Sequence, residues 1–110
     1  MNKSLRQGNV WLVALDPVVG REMAKTRPCI IASPSEINDK ISTLVIVPLT
    51  SRARPWPFRP QCQFQGLVGD MAIDQIRAAD KQRLIKHLGQ LSAQDHIDLV
   101  DAISIFFAIE

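Results

Sequence analysis

Residues 45–60 read VIVPLTSRARPWPFRP, and the stretch changes character near its middle. Its first half belongs to an apolar, β-rich run at residues 42–49, which favours a central strand covered on both faces. A buried helix is the alternative, but the run is short and contains Pro48. Beyond Ser51 come three arginines, two aromatic residues and three further prolines. The stretch therefore predicts a buried strand that leads, through two hydroxyl groups, into a basic and proline-stiffened loop.

The length and composition of the chain are those of a small globular protein. Its 110 residues fit one modest core, and we predict that residues 1–110 form a single domain. A net charge of +2 does not by itself indicate nucleic-acid binding. Cys29 and Cys62 lack metal-ligand spacing and are expected to be buried free thiols. The sequence shows neither a signal peptide nor a membrane-spanning run, which predicts a soluble, cytoplasmic protein without a membrane partner.

Further strands are predicted on both sides of the central one. Residues 9–15 and 28–32 are rich in β-branched and apolar side chains and end at Asp-Pro and Ser-Pro. Residues 61–65 alternate polar and apolar side chains, a pattern typical of a half-buried strand. Residues 67–78 predict one or two more strands, which would contain Asp74. The predicted segments between strands are a loop at 17–26, an irregular or helical piece at 35–40 and one helical turn at 80–85.

A helix is predicted at residues 92–109. Ser92, followed three residues later by Asp95, fits the capping pattern of a helix start. An apolar face follows at helical spacing and consists of Ile97, Val100, Ile103 and Phe107. Several strands followed by one helix predict a mainly β fold of the α+β class, a curled antiparallel sheet capped by a C-terminal helix.

Several kinds of catalytic site find no support in the sequence. It has no glycine-rich phosphate loop and no nucleophile elbow. His87 and His96 lie in charged segments and are interpreted as surface residues. Asp70 and Asp74 would share one face of a strand, but no third ligand lies nearby, so neither a metal site nor a cofactor is predicted.

Polar residues at predicted strand ends are the candidates for chemistry. Arg27, Thr50, Ser51 and the Asp74–Gln75 pair each have an ordinary explanation as turn or surface residues. Taken together, they offer hydroxyl groups that donate and accept hydrogen bonds, and a planar guanidinium group that suits a phosphate. This combination predicts a phosphate-binding site at the strand ends.

The loop after the central strand has the composition of a surface for single-stranded nucleic acid. Arg52, Arg54 and Arg59 would neutralise phosphates, while Trp56 and Phe58 would stack on bases. The alternative is a hydrophobic lid whose arginines keep it soluble.

Three blocks of the sequence, in order and at matching spacing, are similar to those of one protein family. They are GNVWLVALDPVVGREMAKTRPCIIAS at residues 8–33, VPLTS at 47–51, and DQIRAADKQRL at 74–84 with LGQLS at 88–92 and a helix behind it. The chain resembles in these blocks the MazF/PemK (Kid) toxins of type II toxin–antitoxin systems. The resemblance extends from about Arg6 to the end of the chain.

The resemblance implies both a fold and an activity. The fold would be an SH3-like barrel on a twisted antiparallel sheet, of the CcdB/Kid/MazF type, working as a homodimer. The activity would be a sequence-specific endoribonuclease that needs no metal and cuts single-stranded mRNA. Attack by the 2′-OH on the adjacent phosphorus would leave a 2′,3′-cyclic phosphate and a 5′-OH. The second implied partner is a cognate antitoxin, whose disordered segment would cover the RNA groove.

The resemblance also assigns residues. Arg27 matches the catalytic arginine of the MazF branch, Thr50 its catalytic threonine, and Asp74 the aspartate assigned as base in the Kid branch. Ala72 and Arg21 stand where Kid has its catalytic arginine and a histidine, so the MazF-like pair is favoured, and the general acid and base stay open. The predicted RNA-binding residues are Arg21, Glu22, Ser51, Arg52, Arg54, Trp56, Phe58, Gln75 and Arg77.

Two other functions fit the same fold. A CcdB-like toxin would poison DNA gyrase and leave RNA intact. A non-catalytic SH3-like module would bind RNA or a peptide in a groove formed by Trp56 and Phe58. The Arg-Pro, Pro-Leu-Thr-Ser and Asp-Gln blocks favour the nuclease.

Overall fold

A computed structural model describes residues 3–108, and this part of the chain forms a seven-stranded sheet with one long helix. The strands are β1 (Asn9–Ala14), β2 (Thr26–Ile31), β3 (Thr43–Thr50), β4 (Gln61–Phe64), β5 (Leu67–Met71), β6 (Arg77–Asp80) and β7 (Leu84–Gln90). The helices are α1 (Ser35–Asn38) and α2 (Ala93–Phe106), and 3-10 turns lie at Lys3–Leu5, Ile73–Gln75 and Lys81–Arg83. All paired strands are antiparallel, in the order β4–β5–β3–β2–β1–β7 with β6 also on β3. The predicted antiparallel sheet with a C-terminal helix is confirmed.

Strand β3 is the centre of the sheet because three strands pair with it. Residues 43–46 pair with β6, its last two residues pair with β5, and β2 lies along its other edge. Leu44 and Ile46 are buried in one apolar cluster, with Cys29 and Ile31, whereas Val47 is buried in another. The strand is therefore covered on both faces, as its apolar sequence predicts.

Helix α2 packs on the sheet with a face that differs from the predicted one. Its start is confirmed, because the Ser92 hydroxyl oxygen accepts a hydrogen bond from the Asp95 backbone N–H at 3.1 Å. Leu99 and Ala102 are buried in the cluster that contains Val47. Of the predicted face, Ile103 packs against this cluster, but Ile97, Val100 and Phe107 are 54%, 42% and 59% exposed. The helix is apolar on more than one side, so periodicity alone does not select the side that meets the sheet.

Strand β7 was not predicted, although it closes one side of the sheet by pairing with β1. Its register against β1 shifts twice, and Ile85 is 56% exposed. An irregular strand at the edge of a sheet shows no clean alternation of buried and exposed side chains, so its sequence gives a weak signal. None of the helices within residues 3–108 is long and apolar enough to cross a bilayer.

The prediction that Asp74 and Gln75 lie within a strand is wrong. They belong to the 3-10 turn Ile73–Gln75, which connects β5 to β6. Both of these strands pair with β3, at different parts of its length. The chain must pass from the β5–β3 pairing to the β6–β3 pairing, and it does so through this turn.

Strand β5 passes very close to the end of β3 at Gly69. A Cβ atom added there would lie 2.2 Å from the Thr50 carbonyl oxygen and 3.5 Å from the Cα of Ser51. Real side chains do not approach backbone atoms so closely, so the position requires glycine. The close approach supports the pairing of Thr50 with Asp70.

We predict that Gly69→Ala destabilises the protein by about 1–3 kcal/mol, because the added methyl group overpacks against the backbone of β3. The midpoint of urea unfolding measures the loss. Val68→Ala is the matched control, since Val68 is the neighbouring residue and is 50% exposed. A Gly69→Ala protein as stable as the parent would show that β3 and β5 are free to separate here.

Candidate active site

A polar cleft of about 560 Å³ lies where the β1–β2 loop, the end of β3 and the 3-10 turn Ile73–Gln75 come together. Residues 51–60, which we call the basic arm, form another of its walls. The cleft is lined by Arg21, Glu22, Met23, Ala24, Arg27, Thr50, Arg52, Arg54, Trp56, Arg59, Asp74 and Gln75. Five arginines face two carboxylates in this lining, so the cleft is strongly basic although the whole chain carries only +2.

Arg27 and Thr50 lie on neighbouring, paired strands, and both line this cleft. Arg27 is half-buried near the start of β2, and its Nε donates to the Ala24 carbonyl at 3.2 Å. Thr50 ends β3 and is 7% exposed. Its hydroxyl oxygen accepts a hydrogen bond from the Arg52 backbone N–H at 3.1 Å, which leaves the hydroxyl hydrogen to be donated. The pair thus presents a fixed cation and an oriented hydroxyl donor.

A second, apolar pocket of about 180 Å³ adjoins Arg27 and Thr50. Ser51 lies here rather than in the polar cleft. The other lining residues are Pro28, Leu49, Cys62, Phe64, Leu67, Val68 and Gly69. Arg27 and Thr50 therefore stand at a boundary, with basic surface on one side and apolar surface on the other.

Asp74 is engaged by Arg59 from the basic arm. The Arg59 Nε and Nη2 atoms donate to the two carboxylate oxygens at 2.5 and 3.0 Å. The Arg59 side chain is 10% exposed and that of Asp74 is 21% exposed, so the pair is partly shielded from water. The hydrogen bonds from Arg59 lower the pKa of Asp74, and those to Asp74 raise the pKa of Arg59. The sequence had placed Arg59 among the phosphate-binding cations and gave no sign of this pairing.

The basic arm is also fixed by Asp70, a residue that the sequence suggested only as a weak metal ligand. Asp70 is 2% exposed in β5, and its Oδ2 accepts a hydrogen bond from the Arg54 backbone N–H at 2.7 Å. At the end of the arm, the Pro60 carbonyl accepts from the Met71 N–H at 2.9 Å. The sequence signal that could have revealed this contact is a single carboxylate in an otherwise apolar strand, because a buried charge needs a hydrogen-bonding partner.

The two aromatic residues of the basic arm have different positions. Trp56 lines the cleft and is 43% exposed, with the guanidinium carbons of Arg54 and Arg59 at 5.8 and 5.3 Å from its ring centroid. Phe58 is partly buried against the core and lies 5.4 Å from both Trp56 and Phe106 of α2. Phe58 therefore packs between Trp56 and Phe106 of α2 and does not line the cleft.

A side-chain hydrogen bond joins the β1–β2 loop to the 3-10 turn Ile73–Gln75, where the Gln75 side-chain carbonyl accepts from the Met23 N–H at 3.2 Å. Within the loop, the Glu22 carboxylate accepts from the Val19 N–H. Arg77 donates to the Leu15 carbonyl at 3.1 Å and lies outside the polar cleft. Of the residues predicted to bind RNA, Arg21, Glu22 and Gln75 therefore line the cleft, whereas Arg77 holds the loop.

The remaining reactive side chains offer neither a metal site nor a nucleophile. Within residues 3–108, no three His, Cys, Asp or Glu side chains come together as a metal-binding group. Burial raises the pKa of the Cys29 thiol to about 12 and that of Cys62 to about 11. Both thiols stay protonated at neutral pH and are poor nucleophiles.

The chain matches one protein family over residues 6–107, the PemK-like, MazF-like toxins of type II toxin–antitoxin systems. It belongs to this family. The match spans nearly the whole chain and confirms the resemblance carried by the three sequence blocks.

Relatives of this MazF-like toxin are similar in both sequence and fold. Endoribonuclease MazF9 of Mycobacterium tuberculosis is 31% identical, covering 92% of this chain and 94% of the relative. Endoribonuclease MazF of Staphylococcus saprophyticus is 30% identical, covering 92% and 89%. The crystal structure of MazF from Deinococcus radiodurans superposes with a TM-score of 0.83 at 23% identity, covering 94% and 96%. A mycobacterial endoribonuclease in complex with its cognate antitoxin gives a TM-score of 0.81 at 21% identity, covering 96% of both chains. The MazF-type fold is thereby confirmed.

We predict that the Arg59–Asp74 ion pair of this toxin stabilises it in a pH-dependent way. Because the pKa of Asp74 is lower in the folded state, the contribution is fully present above the ordinary carboxyl pKa of about 3.9 and disappears as pH falls through the folded value. The parent protein should therefore have a higher Tm than Asp74→Asn at pH 6, and the difference should shrink below about pH 4. Arg59→Gln removes the same pair and should show the same trend. A Tm difference that stays constant down to pH 3 would contradict the prediction.

Proposed function

We propose that this toxin cleaves single-stranded mRNA at short specific sequences without a metal ion, leaving a 2′,3′-cyclic phosphate and a 5′-OH. Family membership supports the toxin and endoribonuclease activity, since the curated relatives are endoribonucleases. The observation that carries the chemistry is that Arg27 and Thr50 lie on paired strands and both line an arginine-rich cleft.

In the proposed reaction, the 2′-oxygen attacks the adjacent phosphorus while the bond from phosphorus to the 5′-oxygen breaks. Negative charge then builds on the phosphoryl oxygens, and stabilising that charge is the larger share of such catalysis. The guanidinium group of Arg27 supplies the positive charge, and the Thr50 hydroxyl donates a hydrogen bond to the same phosphate. Arg27 acts as a fixed positive charge and is not the proton donor of the reaction.

The proton transfers have no strong acid or base at the reacting pair. Thr50 is a weak base, and Asp74 has both carboxylate oxygens bound by Arg59 and a lowered pKa. The 2′-OH proton therefore passes to water, which has access to the open cleft, and the departing 5′-oxygen takes a proton from water. A slow nuclease that gains its selectivity from binding is consistent with this arrangement.

The rest of the cleft binds the RNA. Arg21, Arg52 and Arg54 neutralise phosphates, and the exposed ring of Trp56 stacks on a base. Glu22 and Gln75 contribute polar edges that can select bases by hydrogen bonding. Because several phosphates are contacted, affinity for RNA should weaken as salt rises.

We include two protein partners in the proposal. The solved mycobacterial relative is bound to its cognate antitoxin. An acidic antitoxin segment would fit this cleft for the same electrostatic reason as RNA does, and an apolar one could pack on the exposed ring of Trp56. A second copy of the chain would form the homodimer that the resemblance implies. An mRNA substrate and two free thiols are consistent with action in the cytoplasm.

Incubation of the purified protein with a long transcript in EDTA tests the activity directly. We expect cleavage to fragments with 5′-OH ends, and sequencing those ends gives the recognition motif. Intact RNA combined with inhibition of DNA gyrase would support a CcdB-like poison instead. Intact RNA with retained RNA binding would support a non-catalytic module.

We predict that Arg27→Ala and Thr50→Val each lower kcat by about 10²–10³-fold, since each removes a group that stabilises the developing charge. Initial rates on a transcript cut at one mapped site measure the loss. Lys86→Ala is the control, because Lys86 is an exposed cation on β7, outside the cleft lining. An Arg27→Ala protein that cuts RNA at the parental rate would rule out the proposed mechanism.

A further inference from the structure

Arg59 connects the basic arm to the 3-10 turn Ile73–Gln75 through one guanidinium group. It binds both carboxylate oxygens of Asp74, lies 5.3 Å from the centroid of Trp56, and donates to the Arg52 carbonyl at 3.5 Å. Its side chain is 10% exposed, so these contacts are partly protected from water. Arginine suits this position because its planar group can bind a carboxylate with two hydrogen bonds while packing on an aromatic ring.

The position of Asp74 matches that of a base in one branch of the family, but its environment here is unlike that of a base. A general base needs a free oxygen within hydrogen-bond reach of the proton it removes. Both oxygens of Asp74 accept hydrogen bonds from Arg59. Each oxygen keeps a second lone pair, but taking up a proton would neutralise Asp74 and leave Arg59 without a charged partner in a partly buried place.

The same ion pair ties the basic arm to the rest of the cleft. Asp70 fixes the backbone at Arg54, and Pro60 is fixed to Met71 of β5. Between these two points, the Arg59 side chain reaches the 3-10 turn Ile73–Gln75, on a different wall of the cleft. The ion pair thereby fixes the position of the basic arm relative to the turn, and with it the position of Trp56.

We infer that Arg59 is a positioning residue and that Asp74 is its anchor. Together they hold the basic arm so that Trp56, Arg52 and Arg54 receive RNA whose phosphate lies at Arg27 and Thr50. This inference rests on the proposed function, and it deepens it by giving Asp74 a structural role in substrate binding. Loss of the pair then weakens binding of RNA and leaves the chemical step largely intact.

Steady-state kinetics on a transcript cut at one mapped site test the inference. Arg59→Gln and Asp74→Asn should each raise KM by about tenfold and change kcat by less than about threefold. Arg59→Lys keeps the charge but makes fewer hydrogen bonds, so its KM should lie between those of the parent and Arg59→Gln. Lys40→Ala, which removes an exposed cation that does not line the cleft, should leave both constants unchanged.

The charge-swapped double variant Arg59→Asp/Asp74→Arg separates an anchor from a base. It restores an ion pair between the same positions but leaves no carboxylate at residue 74. If Asp74 is the anchor, the swap recovers a large part of the affinity lost in Asp74→Arg alone. If Asp74 is the base, Asp74→Asn and the swap both lose about 100-fold or more in kcat, and the acidic limb of the kcat–pH profile disappears in Asp74→Asn. The second result would overturn the inference.

Binding of a labelled oligodeoxythymidylate gives a readout that does not depend on cleavage, because this probe has no 2′-OH. Its Kd should rise about tenfold in Arg59→Gln and in Asp74→Asn, at a Tm that shows both variants to be folded. A parental protein that binds the probe but cuts no RNA would refute the proposed nuclease and still allow the arm to be tested by Kd. An unchanged Kd in both variants would refute the positioning role of Arg59.

Discussion

The candidate site depends on a change of pairing partner along one buried strand. The first half of β3 pairs with β6, and its last two residues pair with β5. The chain between β5 and β6 passes from one pairing to the other through the 3-10 turn Ile73–Gln75, beside the end of β3. Because β2 lies on the other edge of β3, Arg27 and Thr50 meet at this end and Asp74 lies in the same cleft. The pairing of β3 with its neighbouring strands therefore sets the geometry of the candidate site, and the loops that line the cleft are connected to these strands.

The carboxylates of the cleft are engaged within the protein, so most of its arginines remain available to bind a polyanion. Both carboxylates of the lining are used inside the protein, Asp74 by Arg59 and Glu22 by the Val19 N–H. Arg27 donates to the Ala24 carbonyl and Arg77 to the Leu15 carbonyl, and such backbone contacts orient a guanidinium group without neutralising it. The field of the cleft is accordingly more positive than the composition of the chain indicates.

The sequence predicted the elements well where a physical signal was strong and local. The apolar run of β3, the alternation of β4 and the cap at Ser92 were all read correctly, because burial, pleat and capping act over a few residues. It missed β7 because an irregular edge strand carries no regular pattern. It chose the wrong face of α2 because that helix has apolar residues on more than one side, and only its partner decides which is buried. For the site, it collected most residues of the cleft but not the roles of Arg59, Asp70, Phe58 and Arg77, which are set by contacts between distant segments.

The sequence by itself determined the class of fold and the family, and through the family resemblance it put Arg27 and Thr50 forward as the catalytic pair. These follow from patterns and motifs that are written in consecutive residues. Only the tertiary structure decided which charges face one another. Arg59 and Asp74 are 15 residues apart. Arg59 lies in the β3–β4 connection and Asp74 in the β5–β6 connection, and the two residues meet because both connections pass the end of β3. A long side chain can reach many partners, and which partner it contacts depends on the positions of distant backbone segments. A local sequence pattern does not contain that information.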